Sequence, residues 1–173
     1  MDEHDRIWIT LANTLNQLSE RVSPQRDMTR LTRAARRGEW SVREIIAHLR
    51  DHEALMFPRI YLIAVDNYPD LRRVATIEAT EYDRNDSPFM VMSQFRRLRQ
   101  STVGLLRELP RDAWQRAGVD LDNARVTIQD LALELIDHDA EHITQIDRTL
   151  IERGAMPPRV HTNVTIPVSP SQA

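Results

Sequence analysis

Two pairs of histidines stand four residues apart in this sequence. His138 and His142 lie in the segment L-I-D-H-D-A-E-H-I-T-Q-I-D, and His48 and His52 form a second pair earlier in the chain. Residues i and i+4 of a helix share one face, with Cβ atoms about 5–6 Å apart, so two imidazoles at this spacing can bind one ion. The spacing alone leaves two interpretations open: a metal site, or structural histidines at a helix interface.

The remaining composition restricts the chemistry. The sequence contains no cysteine, and all 23 of its basic residues are arginine. This excludes thiolate metal sites, cysteine nucleophiles, Schiff-base lysines and the lysine of a phosphate-binding loop. Glycine-rich nucleotide-binding motifs and the G-x-S-x-G motif of hydrolases are also absent from the sequence.

Charge and hydropathy bear on the partners and the compartment. The net charge of −3 provides no basic field for nucleic acid. No apolar run approaches the roughly 18 residues that a membrane span needs. The N-terminus, M-D-E-H-D-R-I-W, is acidic and polar, unlike a secretory signal. We therefore expect a cytoplasmic protein that binds neither nucleic acid nor membranes.

Apolar residues recur at helical spacing in four segments, and these predict an all-α fold, a four-helix bundle. The first helix covers about residues 5–21, and the others begin after Ser41, Ser87 and Thr127 and end at Asn67, near Pro110 and at Gly154. Ser41-x-x-Glu44 is a capping box, and Thr127-x-x-Asp130 resembles one.

The sequence divides into a bundle domain and a tail. We assign residues 1–154 to the bundle and residues 155–173, which contain four of the nine prolines, to an extended C-terminal tail. Residues 24–39 are interpreted mainly as a solvated connection. We expect the three tryptophans in the core, Asp139 and Glu141 on the solvated face of the last helix, and Asp51 and Glu53 at the surface or behind a histidine.

Two motifs place the sequence near a known family. The motif W-S-x-x-E-x-x-x-H-L begins at Trp40, and H-D-x-x-H-x-x-Q-I begins at His138. Together with the order of the helices, over roughly residues 5–153, they resemble the DinB/YfiT-like superfamily. One departure is the loop 122–125, which reads D-N-A-R where such proteins often have glycine.

The resemblance implies a site and a function. Members of the family bind a divalent metal, commonly nickel or zinc, through three histidines, and many are dimers. Carried onto this sequence, the metal ligands are His48, His138 and His142, while His52 is a neighbouring polar residue. The resemblance implies a homodimer and a metal-dependent enzyme of the thiol S-transferase or hydrolase type. Such an enzyme would act on an unidentified small molecule and would use a low-molecular-weight thiol as a further cofactor. No catalytic residue beyond the ligands is identified.

Three alternatives compete with this interpretation. The first is a non-catalytic, metal-stabilised or stress-related binding protein that acts through its dimer surface. The second is an inverted zinc protease, because His138-x-x-Glu141-His142 matches H-x-x-E-H, but the only later glutamate, Glu152, lies on the same helix. The third is a ferritin-like di-iron bundle, which needs E-x-x-H on two helices and finds no such pair here.

Overall fold

Long helices form the frame of the molecule in the computed structural model, which describes residues 2–74 and 85–155. Within these ranges the helices are α1 (Glu3–Val22), the short α2 (Thr29–Thr32), α3 (Val42–Val65), α4 (Pro88–Glu108) and α5 (Ile128–Glu152). The four long helices confirm the predicted all-helical bundle. The predicted C-terminal tail, apart from Ala155, lies outside the described residues.

Local capping explains where the long helices begin. Ser41 and Glu44 form the predicted capping box at the start of α3, and Thr127 and Asp130 form one at the start of α5. The Ser87 side chain accepts a hydrogen bond from the amide of Met90 at the start of α4. Each of these side chains satisfies a backbone amide that has no partner inside its helix, so the sequence predicts helix starts reliably.

The helices pack in a square arrangement. Helices α4 and α5 both pack against α1 and α3, so α4 and α5 face each other diagonally across the bundle. Two apolar clusters fill the space between the helices. One includes Leu18, Leu49, Phe95 and Ile146, and the other includes Leu11, Met56, Leu106, Trp114 and Leu135. A layer of buried polar residues separates these two clusters on every long helix.

A short hairpin joins α4 to α5, which the sequence did not predict. Strands β1 (Ala117–Val119) and β2 (Arg125–Thr127) pair antiparallel. Asn123 adopts a φ of 61° in the turn, a left-handed conformation that asparagine tolerates, and so takes the place of the missing glycine. Gly118 lies so close to the loop after α3 that an added Cβ would meet the Pro69 carbonyl oxygen at 2.7 Å.

Among the described residues, each helix is too short or too polar to span a lipid bilayer.

Candidate metal centre

Three imidazole rings from two helices converge at the seam between α3 and α5. Each of His48, His138 and His142 contributes one ring nitrogen, and these three nitrogens lie within 4.8 Å of one another. The two histidines of α5 are one helical turn apart and so point to the same side, towards His48 of α3. The structure therefore brings together the three residues that the sequence analysis singled out.

The spacing and chemistry of these nitrogens fit a shared metal ion. The Nε2 atoms of His48 and His138 are 3.0 Å apart. Two nitrogens bound to one ion at about 2.0–2.1 Å lie about 2.8–3.4 Å apart at octahedral to tetrahedral angles. Three imidazoles form a donor set suited to zinc, nickel or copper. The separation of His48 from His138 and the chemistry of all three rings thus match what such an ion requires.

Burial and neighbouring charges favour the neutral form of two of these imidazoles, His48 and His138. Burial, followed by the positive charge of His142, lowers the pKa of His48 below its ordinary value. Burial, followed by the charge of His52, lowers the pKa of His138 to about 4. A metal binds neutral imidazole, so rings that resist protonation remain available as ligands near neutral pH.

Gln145 determines which nitrogen of His142 faces the other rings. The Nδ1 atom of His142 lies 2.8 Å from the Oε1 atom of Gln145, one turn along α5. An amide oxygen only accepts hydrogen bonds, so Nδ1 donates and the lone pair remains on Nε2. Partners of this kind orient ligand histidines in many metal sites.

His52 lies beside the three histidines. Its ring stacks on that of His138 with 3.8 Å between the centroids. Its Nε2 atom lies 3.8 Å from the Glu134 carboxylate, and burial, followed by the charge of His48, lowers its pKa to about 4. His52 does not belong to the group of nitrogens that could share one ion, which agrees with its expected role as a polar neighbour.

Trp40 is exposed, so its predicted place in the core is wrong. Its side chain is 42% exposed, and its ring lies 5.0 Å from that of His48 and 6.3 Å from that of His142, centroid to centroid. It lines two open clefts, one of about 580 Å³ that His142 also lines and one of about 360 Å³ that His48 also lines. Gly38, with a φ of 86°, turns the chain just before Trp40.

A buried ionic network lies next to the histidines, and sequence analysis missed it. The Arg99 guanidinium of α4 donates to Glu53 of α3 at 2.7 Å, to Asp139 of α5 at 3.0 Å and to the backbone carbonyl oxygen of Leu11 in α1 at 3.1 Å. The Thr14 hydroxyl of α1 donates to Asp139 at 2.7 Å. Arg99 therefore connects all four long helices.

The network corrects two expectations. Asp139 was expected on a solvated face and is only 4% exposed, while Glu53 was expected at the surface or behind a histidine and is completely buried. Burial opposes ionisation of Arg99, but the two carboxylates outweigh it and raise its pKa above the ordinary value. One signal in the sequence could have revealed the network, because Arg99 falls on the apolar stripe of α4, between Phe95 and Leu106.

Comparisons with known proteins agree with this architecture. A family model described as the DinB superfamily matches residues 10–146. Among solved structures, the chain is similar to YfiT from Bacillus subtilis, described as a probable metal-dependent hydrolase with an unusual four-helix bundle topology. The TM-score is 0.71 at 19% identity, over 90% of this chain and 91% of that chain. This likeness shows the fold.

A search of curated protein sequences found no match to the chain. The family match covers most of the bundle, from within α1 to near the end of α5, and includes all three converging histidines. On this match, the chain belongs to the DinB superfamily.

Proposed function

We propose that this protein is a metal-dependent enzyme in which His48, His138 and His142 bind one divalent ion, nickel or zinc. The observation that supports this proposal is the convergence of three ring nitrogens within 4.8 Å at the edge of an open cleft. Three protein ligands leave a coordination position free, as in catalytic rather than structural sites. The description of YfiT as a probable metal-dependent hydrolase is in keeping with this function.

The open position determines what chemistry the site could support. A divalent ion held by three imidazoles would act as a Lewis acid, which polarises a substrate and lowers the pKa of a coordinated water or thiol. Hydrolysis would use water, and S-transfer would use a low-molecular-weight thiol. The chain itself contains no cysteine, so a thiol would come from solution.

The residues around the histidines contribute binding and orientation. Gln145 holds the His142 ring through Nδ1, and Trp40 covers one side of the His48 and His142 rings. The exposed face of Trp40 supplies an apolar surface for a substrate at the mouth of the cleft. These groups would position a substrate next to the open position.

Metal content tests the proposal directly. We expect the purified protein to contain about one equivalent of nickel or zinc per chain by elemental analysis, and His138→Ala and His142→Ala to lose it, because each removes one of three ligands. His4→Ala is the matched control, since His4 stacks on Trp114 away from the three histidines. Protein that contains no metal and takes up none on reconstitution would contradict the proposal.

Turnover separates the two reaction classes. Purified protein is incubated with activated esters to test for hydrolysis. In a separate assay it is incubated with electrophiles and a panel of low-molecular-weight thiols to test for S-transfer. We expect one class to be turned over, and His48→Ala to abolish that turnover while His4→Ala preserves it. A metal-loaded protein that is silent in both assays would favour a binding protein over an enzyme.

One observation favours a non-catalytic alternative. The 3.0 Å separation between the Nε2 atoms of His48 and His138 also suits a direct N–H···N hydrogen bond. In that arrangement the histidines stabilise the seam between α3 and α5 without an ion. The elemental analysis decides between the two, because a hydrogen-bonded pair requires no metal.

A further inference from the structure

A cleft runs along α5 from the histidines towards the C-terminal end of the helix. It has a volume of about 580 Å³, within the range of small-molecule sites. His142 and Arg148 both line it, and the segment Gly38–Trp40 forms part of its wall. Six residues at about 1.5 Å each separate His142 from Arg148, so the two backbone positions are about 9 Å apart along the helix axis.

Within the described part of the chain, Arg148 differs from Asp147 and Glu152, its charged neighbours on α5, in having no ionic partner. Asp147 accepts two hydrogen bonds from Arg21, at 2.7 and 2.8 Å, and Glu152 forms an ion pair with Arg36 at 3.0 Å. Among the described residues, Arg148 makes no hydrogen bond or ion pair, and its side chain is exposed. No described residue therefore occupies its guanidinium, which lines the cleft.

We propose that this cleft binds an elongated small-molecule substrate whose carboxylate, remote from the reacting group, is held by Arg148. The inference rests on the proposed function, because the reacting end must meet the ion at His142. Arginine presents a planar pair of donors that matches a carboxylate. The middle of such a substrate lies against the exposed face of Trp40.

Two carboxylates, Glu39 and Glu141, also line the cleft. Neither carboxylate forms an ion pair with Arg148. With a divalent ion bound at the histidines, the ion and Arg148 together outweigh these two negative charges, so the cleft attracts an anion. Glu141, next to His142 in the sequence, weakens that attraction, and its removal should strengthen the binding of an acid.

The test uses a series of ω-mercaptocarboxylic acids of increasing chain length and the matching ω-mercaptocarboxamides. The thiol binds the metal in cobalt-substituted protein and produces a charge-transfer absorption, from which a dissociation constant is measured without any turnover. At the length that spans the cleft, we expect the acid to bind about threefold to fivefold more tightly than its amide, as for a partly solvated ion pair.

Three variants test whether Arg148 causes the preference for the acid over the amide. Arg148→Gln should reduce the ratio of amide to acid dissociation constants to about one, and Glu141→Gln should preserve or increase it. Arg97→Gln removes the same charge from an exposed position on α4, diagonally across the bundle, and should leave the ratio unchanged. These results together would support the inference.

Two outcomes would overturn it, and they are distinguishable. If cobalt and thiols bind but acids and amides bind equally at every length, or Arg148→Gln keeps the preference, the inference is wrong and the proposed function stands. If the protein takes up no metal, the proposed function is wrong and the inference fails with it.

Discussion

At the scale of single residues, the candidate site depends on which nitrogen of each ring is free. The hydrogen bond from His142 Nδ1 to Gln145, 2.8 Å long, directs the Nε2 lone pair away from the helix backbone. A metal-binding ring without such a partner can rotate and can adopt the other tautomer. Gln145 is thus a positioning residue for His142.

Replacing Gln145 tests this role. We expect Gln145→Leu to weaken metal binding by about 10- to 100-fold, because the His142 ring loses the acceptor that orients it. Gln145→Glu retains an acceptor and should retain most of the affinity. Competition with a chromophoric chelator measures both. Gln129→Leu, on the same helix but bonded to Gln115, is the control. Equal affinities in all three variants would exclude an orienting role.

The buried histidines also make the stability of the metal-free protein depend on pH. Burial is the largest cause that lowers the pKa of both His138 and His52 from 6.5 to about 4. For His138 the charges of the three other histidines act in the same direction, and Asp139 opposes them. Between pH 6.5 and 4 the unfolded chain therefore binds protons that the folded chain does not. The free energy of unfolding must fall as the pH falls through this window.

Thermal unfolding of chelated protein across pH 7 to 4 measures the effect. We expect the melting temperature to decrease below pH 6.5, and the decrease to be smaller in His138→Ala because one of the shifted groups is gone. His4→Ala should retain the wild-type pH dependence. A melting temperature that stays constant to pH 4.5 would contradict the lowered pKa values.

At the scale of secondary-structure elements, one guanidinium determines how the helices that carry the histidines meet. Arg99 reaches across the bundle from α4 to Asp139 of α5, although α4 and α5 are diagonal, and it also binds Glu53 of α3. Each of these carboxylates is the chain neighbour of a histidine, His138 and His52 respectively. The ionic network thus fixes the register of α3 against α5 beside the candidate site.

Removing the guanidinium should be strongly destabilising. We expect Arg99→Met to lower the free energy of unfolding by about 3–5 kcal/mol, because it leaves two carboxylates buried without a counter-charge. Replacing Arg99, Glu53 and Asp139 together by apolar residues of similar size should recover most of that loss. Denaturant unfolding measures both variants. A loss below about 1 kcal/mol in Arg99→Met would show that the network contributes little.

At the scale of the whole molecule, the candidate centre joins two helices that are far apart in the sequence. His48 belongs to α3 and His142 to α5, and the chain between them contains all of α4 and the hairpin. An ion bound by both helices has high affinity only for the folded chain. Metal binding should therefore stabilise the whole bundle by mass action.

Chelation tests this coupling. An ion at about 100 times its dissociation constant contributes about 2.7 kcal/mol, so a chelator should lower the melting temperature of the wild-type protein by several degrees. The His142→Ala variant should melt at the same temperature with and without chelator, because it has lost a ligand. An unchanged wild-type melt in chelator would favour structural histidines.

The sequence by itself determined the features that depend on contacts within one helical turn. Local spacing predicted helix starts at Ser41, Ser87 and Thr127, and all three are present. It also predicted that His138 and His142 share one face of the last helix. The short hairpin escaped prediction because its strands have three residues each. Gly118 of β1 packs against the Pro69 carbonyl oxygen, far away in the sequence.

Only the tertiary structure decided which residues of different helices meet. It placed a ring nitrogen of His48, and none of His52, in the group that could share an ion with the histidines of α5. It also exposed Trp40 beside them and buried Glu53 and Asp139 against Arg99. A charged residue on an apolar stripe can face solvent at the edge of a helix or a counter-charge inside the bundle. The compensating partner lies on another helix, so the burial of such a charge is settled only when the helices pack.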